Sequence, residues 1–597
     1  MADAGSGSQA GIGDEAREGL PGEVRDGMRI SWDVPIPMDD GVVLRADLYR
    51  PVEDGGFPVI LSYGPYAKGL SFQEGYRPQW EKMVGDHPEV VVGSTGRYQS
   101  WEVVDPERWV PHGYACLRID SRGAGRSPGF LDPRSSRERQ DVHDCVEWAG
   151  VQLWSNGRVG MCGISYYAIN QWATAGLAPA HLCALVPWEG AGDCYRDQNY
   201  HGGIRCEFAG NWFHRQVRTV QHGLGDRGAR SAVTGLPVAG PETLGEEELA
   251  ANRADYAGQI GEHPLDDEWH RARSADWSKV KVPFLSAANW GGHALHARGN
   301  FEAFGRAASE QRWLEVHGES HWAPFYTDYA LDLQRRFLDH FLKGEDNGWD
   351  RQPAVLLNVR HPGERFVARK EREWPLARTV WTRTYLDAAG GTLAGRPPAE
   401  EASVEYEGLG DGASFSMAPF DAETEITGPL AVKLFVSSST TDADLFLVVR
   451  LFDASGDEVT FQGALDPNTP IAQGWLRASH RRLDPELSLP YRPFHTHDRL
   501  EPLTPGQVYE LDVEIWPTCI VAPAGHRLVL TVRGKDYEYE GELSEFAKSF
   551  YYASRGVGPF THADPVDRPE ETFGGTVTVH TGGPCQSYLL LPVIPEA

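Results

Sequence analysis

The chain has 597 residues, 41% of them hydrophobic and 24% charged, and 85 Asp and Glu outnumber 56 Lys and Arg for a formal net charge of -29. That length calls for two or three domains with large cores, and no apolar run reaches the length of a membrane span. The acidic balance without a basic stripe argues against a nucleic-acid partner.

Residues 1–29 are predicted to form a disordered acidic tail. The stretch is rich in Gly, Ala, Asp and Glu, and has neither a basic start nor the apolar core of a secretory signal. From about Ile30 to Asp120 the text is β-rich: residues 43–49 alternate, and residues 58–63 and 114–120 are short apolar runs. Helices then interleave with strands. Residues 139–149 read as a helix, 159–162 as a strand, 166–175 as a helix and 182–187 as a strand, a pattern that implies a mostly parallel sheet with its chemistry at the carboxyl ends of the strands. Between 197 and 280 the strand signal gives way to aromatic, charged and helical text, read as an inserted helical cap. The sheet resumes at 283–288 and 313–316, and residues 328–343 form an amphipathic helix closed by Gly344. After Trp374-Pro375 the period becomes two, as in 430–436, 444–450 and 526–532, which predicts an all-β sandwich. The expected organisation is an α/β domain from 30–196 and 281–375, a cap at 197–280 and a β-sandwich at 376–597.

Within this frame, Gly157-Arg-Val-Gly-Met-Cys-Gly-Ile-Ser-Tyr-Tyr-Ala168 runs a short apolar strand through glycine and serine into a helix. This is the pattern of a nucleophile elbow, which projects Ser165 Oγ out of the fold and aims the Tyr166 amide at an oxyanion. A serine nucleophile needs a base. His321, after the last predicted strand of the α/β domain and before its long helix, is the best placed of 21 histidines, with His317 as competitor.

The chain resembles the family of cocaine esterase, α-amino acid ester hydrolases and X-Pro dipeptidyl-peptidases from about Ile30 to its C-terminus. The matching pieces are Pro65-Tyr-Ala-Lys68, Asp120-Ser-Arg-Gly-Ala-Gly-Arg-Ser127, Trp154-Ser-Asn-Gly157, Gly163-Ile-Ser-Tyr166, Asp193-Cys-Tyr-Arg196 and Phe341-Leu-Lys-Gly344. The resemblance implies an α/β-hydrolase domain with a helical cap, followed by a C-terminal jelly roll. It also implies that Tyr66 joins the Tyr166 amide in the oxyanion hole.

Two departures stand out. Ala168 replaces the glycine usual three residues after the nucleophile. More seriously, the family's Gly-Trp-x-Asp acid motif is matched by Asn289-Trp-Gly-Gly292, with glycine in the acid's place. Loss of such a carboxylate costs a serine protease about ten-thousand-fold in turnover. Residues 182–189 deliver Glu189 at the end of the preceding strand, and it is the expected substitute acid, ahead of Glu319. Trp290, in the altered motif, and His293 and Arg298, just after it, are candidate substrate-binding residues, Arg298 through its planar fork.

No His or Cys cluster has metal-ligand spacing and no glycine-rich loop has a nucleotide-binding pattern, so neither metal nor cofactor is expected. Eight cysteines without a C-x-x-C pair suggest reduced thiols and a cytoplasmic protein. The expected function is a serine hydrolase that cleaves a small-molecule ester or amide, without nucleic-acid or membrane partners and with oligomeric state open, a homo-oligomer included. The alternatives are an acyltransferase with the same acyl-enzyme and a binding protein on a hydrolase scaffold.

Overall fold

A computed structural model of the chain describes residues 22–543, 547–548, 552 and 555–595. Of the expected tail, residues 1–21 lie outside the described residues. The remainder is already sheet, because Glu23–Arg25 (β1) pairs antiparallel with the start of Met28–Pro37 (β2).

The first sheet continues with Val43–Arg50 (β3), Phe57–Gly64 (β4), Ala115–Asp120 (β5), Ser155–Ile164 (β6) and Leu182–Trp188 (β7). A small hairpin of Tyr200–His201 (β8) and Ile204–Arg205 (β9) stands apart. Phe284–Asn289 (β10), Arg312–His317 (β11), Val355–His361 (β12) and Arg365–Glu371 (β13) complete the sheet, in the order β1-β2-β3-β5-β4-β6-β7-β10-β11-β12-β13. From β5 to β12 every pairing is parallel. These strands are apolar runs because helices cover both faces. The final helix, Asp328–Leu338, continues as a wider π-turn over Asp339–Lys343 and ends at Gly344 in a left-handed conformation. It packs so tightly that a Cβ on Gly160 of β6 would come within 2.8 Å of Leu342.

The β-rich reading of residues 30–120 needs one correction. Between β4 and β5 lies a helical excursion that includes Arg77–Asp86, where Pro78 at the start of the helix and polar residues mask the apolar signal. The segment between β7 and β10 holds many short helices, the longest being the seven-residue Tyr256–Glu262, rather than a compact helical bundle.

The C-terminal domain is built from Val380–Asp387 (β14), Thr392–Ala394 (β15), Ala402–Glu407 (β16), Ala413–Met417 (β17), Thr424–Ser438 (β18), Asp444–Phe452 (β19), Glu458–Val459 (β20), Ala472–Arg477 (β21), Tyr509–Ala522 (β22), Arg527–Arg533 (β23), Thr576–Thr581 (β24) and Tyr588–Ile594 (β25). The pairing runs β18-β22-β21-β19-β23-β17-β15-β14-β25, and β25 pairs back onto β18, so the path closes on itself. The strands expected as a sandwich thus form a closed ring. Its interior is aliphatic, with Leu434, Leu447, Val513 and Leu530 all buried. The two domains are tied by Arg360 of β12, which donates to the Cys519 and Ile471 carbonyls and to Thr518 Oγ1. Among the described residues no helix is long and apolar enough to cross a membrane.

Candidate active site

Ser165 sits between β6 and the helix Tyr166–Ala175 at φ 55 and ψ -113. A non-glycine residue at positive φ is strained, and the turn is held by its amide donating to the Trp188 carbonyl at 3.1 Å. The glycine two residues earlier is required by close approach, since a Cβ on Gly163 would lie 2.5 Å from that of Tyr167. Ala168 is accommodated because Gly190 faces it, and a Cβ there would come within 2.7 Å of the alanine's own.

Ser165 lines a cavity of about 790 Å³ bounded by both domains and the inserted segment. Its Oγ is 3.1 Å from Nε2 of His296, a residue that follows the Asn289-Trp-Gly-Gly292 turn. His321 stands one ring further back, stacked on His296 with ring centroids 4.5 Å apart. Its Nε2 faces Glu102 Oε1 at 2.9 Å, and its Nδ1 faces Glu189 Oε2 at 3.6 Å. Glu189, at φ 50 just past β7, also meets His317 Nε2 at 2.8 Å, and the other nitrogen of His317 meets Glu315 at 2.7 Å. All these side chains except that of Ser165 are buried.

Burial disfavours every charge here, and the partners decide which survive. For Glu189 the hydrogen bonds and charges of His317 and His321 outweigh burial and hold its carboxyl down at about 2. His321 is lifted to about 9 by Glu102 and Glu189 despite its burial. His317 is likewise lifted to about 10, chiefly by Glu315 and Glu189. Burial and the charge of Glu189 push the Glu102 carboxyl up, although its bond to His321 opposes them. His296 is driven well below the ordinary histidine value, by burial and by the charge of His321, and is neutral.

Tyr66 is buried in the cavity wall, where its Oη accepts a hydrogen bond from Trp212 Nε1 at 2.9 Å, and burial pushes its phenol well up. Its own proton is thus kept for donation. The Tyr166 amide opens the helix after the elbow, where backbone N–H groups have no intrahelical acceptor.

The other expected residues lie elsewhere. Trp290 is fully buried and donates to the Asn358 carbonyl. His293 is buried near Gln473, at 3.5 Å. Arg298 is 2% exposed and committed to Asp197 at 2.9 Å and Glu514 at 3.0 Å. None of the three lines the large cavity, because the turn that carries them is pressed against the C-terminal domain. A Cβ on Gly291 would lie 2.4 Å from Gly463, and one on Gly292 would lie 2.9 Å from the His296 carbonyl, so the turn has no room for a side chain at 292. Glu319 pairs instead with His87 at 2.7 Å. Two residues beside Ser165 and His321 escaped the sequence reading, His296 and Glu102. The only signal for His296 was a second histidine in the segment after Gly292, and Glu102 carried none. Spacing also gave no metal pattern, yet folding brings the donor atoms of Glu189, His296 and His321, and separately of His201, Cys206 and His562, within 4.8 Å of one another.

Residues 40–323 match the family model described as X-Pro dipeptidyl-peptidase (S15 family), and residues 347–545 match the X-Pro dipeptidyl-peptidase C-terminal non-catalytic domain. A CocE/NonD family hydrolase from Staphylococcus aureus has a similar structure, with TM-score 0.80 and 31% identity over 95% of this chain and 94% of that one. The cocaine esterase of Rhodococcus sp. (strain MB1 Bresler) is 25% identical over 95% of this chain and 98% of its own. An α-amino acid ester hydrolase shares the fold, with TM-score 0.63 at 16% identity over 98% of this chain and 100% of that one. An elbow serine against a neutral imidazole, on a scaffold matched over nearly its whole length, identifies the chain as a serine hydrolase that belongs to the X-Pro dipeptidyl-peptidase (S15) family.

Proposed function

We propose that the chain cleaves small carboxylic esters or amides through an acyl-enzyme on Ser165, with His296 as the group that takes the hydroxyl proton. The 3.1 Å contact between Ser165 Oγ and His296 Nε2 carries this reading. Ser165 attacks the acyl carbon as its proton passes to Nε2. Tyr66 and the Tyr166 amide hold the oxyanion, and His296 returns the proton to the leaving oxygen or nitrogen. Water then repeats the sequence, giving its proton to His296 and releasing the acid and the free serine. The ionised carboxylate of Glu189 faces two imidazoliums, His317 and His321. Its charge favours a proton arriving on His296 and so works against the burial and the His321 charge that keep His296 neutral at rest. The cavity has the size of a small-molecule site.

One observation favours a second arrangement. The Nδ1 of His321 faces Glu189, which is the acid-to-imidazole half of a triad, so His321 would serve Ser165 directly if its Nε2 left Glu102 and His296 moved aside. Labelling with a fluorophosphonate probe, read by peptide mass spectrometry, separates the two. Labelling is expected at Ser165 and absent in Ser165→Ala, and His296→Asn should slow it by about 10²- to 10⁴-fold. Should His321→Asn slow labelling while His296→Asn does not, the triad is Ser165, His321 and Glu189. Wild-type protein that does not label at Ser165 would refute both.

Two finer readings go with this. The eight cysteines are all free, which supports a reducing, cytoplasmic setting. The mostly antiparallel strands of the C-terminal domain around one aliphatic core support a jelly roll, and an experimental structure would test that topology.

A further inference from the structure

Arg134 is 3% exposed and lies in the wall of the Ser165 cavity. Its Nη1 donates to Gln198 Oε1 and its Nη2 to Tyr256 Oη at 2.5 Å, while Nε is buried with no acceptor. Among the described residues no carboxylate oxygen lies within 4.0 Å of this guanidinium. Several other buried arginines behave differently. Arg122 meets Asp141 at 2.7 Å, Arg477 meets Asp444 at 2.8 Å, and Arg568, in the same cavity wall, meets Asp444 at 2.8 Å. Arg50, Arg118 and Arg360 also lack carboxylates, but none of the three lines the cavity, and Arg118 and Arg360 spread their N–H groups over carbonyls and hydroxyls. A buried charge without a counter-charge is costly.

The nearest acid does not fill the role. Glu138 accepts from the Arg134 backbone amide and from the Tyr166 hydroxyl, and burial pushes its carboxyl up to about 7. The guanidinium of Arg139 stands close enough to act on those of Arg134 and Arg273, and of the three only Arg273 has a carboxylate within 4.0 Å, Asp132 at 3.1 Å. Geometry also relates the site to the chemistry. Tyr166 follows the nucleophile, and its hydroxyl accepts from the Arg134 amide at 3.2 Å, so the Arg134 backbone is one tyrosine length from the elbow and its guanidinium is close enough to act on that hydroxyl. The wall between them is apolar, with Tyr166 stacked on Trp212 at 5.6 Å and Ile169 beside them.

We infer that Arg134 binds a carboxylate of the substrate, so that the preferred ester or amide carries an acid group joined to the scissile bond through a short apolar spacer. This rests on the hydrolase reading above. The planar fork of arginine suits a carboxylate, with the spare N–H groups of Nε and the two terminal nitrogens as donors.

Two ester pairs test it: 4-nitrophenyl butyrate against the 4-nitrophenyl monoester of glutaric acid, and phenyl butyrate against the butyrate ester of 4-hydroxybenzoate. The acid member of at least one pair should have the higher kcat/KM. Arg134→Gln should lower that value about 10- to 150-fold, the worth of hydrogen bonds to a charged group, while the neutral ester is unchanged and Arg134→Lys recovers part of the loss. Equal losses on both members, or preference for the neutral ester in both pairs, overturns the inference. Calorimetry with glutarate and the Ser165→Ala protein reads the subsite without turnover, so failure of the hydrolase reading remains distinguishable. Glutarate should bind and glutaramide should not, a contrast that needs no Arg134 variant should Arg134→Gln fail to fold; equal binding of the two, or binding of neither, also overturns it.

Discussion

The two domains bury different things. Inside the strand ring of the C-terminal domain, Leu434, Leu447, Val513 and Leu530 meet other aliphatic side chains, and any group of similar volume would keep water out. At the carboxyl ends of β7, β10 and β11, the interior holds Glu102, Glu189, Glu315, His296, His317 and His321. There each group is tolerable only because a particular partner stands within hydrogen-bonding reach. The ring needs volume; the cluster needs identity. Substitutions in the two places should therefore fail in different ways.

Glu189→Gln should have the largest effect, because it removes the carboxylate that His317 and His321 share. We expect a loss of about 3–5 kcal/mol in stability from breaking a buried pair, together with a fall in kcat of about ten-thousand-fold if the cluster orients the base. Denaturant melts and turnover of the same sample measure both. A variant that is destabilised yet turns over at the wild-type rate would reduce Glu189 to a structural acid.

Leu447→Ala probes the other interior. The residue is fully buried in the ring, and its truncation should cost about 2–5 kcal/mol with kcat/KM of the folded protein unchanged. The comparison breaks if kcat falls too. In that case the ring would be supporting the site through the Gly463–Ala464 loop, whose Ala464 amide donates to the Gly291 carbonyl and whose Ala464 carbonyl accepts from the His321 amide.

The same contrast explains what could be read from the chain. Apolar runs between turn residues made strands such as β18, β19 and β23 legible, and they are buried almost throughout; the elbow helix occupies Tyr166–Ala175 as expected, since local pattern and burial agree there. Closure of the ring was not legible, because it depends on β25 finding β18 across 155 to 169 positions. Neither was most of the cluster. Glu189 could be placed at the end of β7 because the strand itself announces its end, but Glu102 reaches His321 across 219 positions. His296 reaches Ser165 across 131 positions, through a turn whose tightness at Gly292 only the packed structure reveals. Proximity of this kind leaves no period in a sequence.

The smallest expected effect, and the one most specific to the cluster, is on the pH dependence of stability. His321 and His317 are raised from the ordinary 6.5 to about 9 and about 10, so their contribution is complete below the unfolded value near 6.5 and is lost as pH rises through 9 to 10. Glu189 is depressed from 4.5 to about 2, so its contribution is present above 4.5 and is lost as pH falls toward 2. Stability should be greatest between about pH 5 and 8, with the melting temperature dropping by a few degrees on the alkaline side. Glu189→Gln should move the start of that drop to lower pH, because each imidazolium has lost one of its two carboxylates, whereas Leu447→Ala should lower the whole profile without changing its shape. A wild-type melting temperature that stays level from pH 7 to 10 would mean that the two histidines are neutral in the folded protein, and the His321 charge that helps to keep His296 neutral would then have to be abandoned.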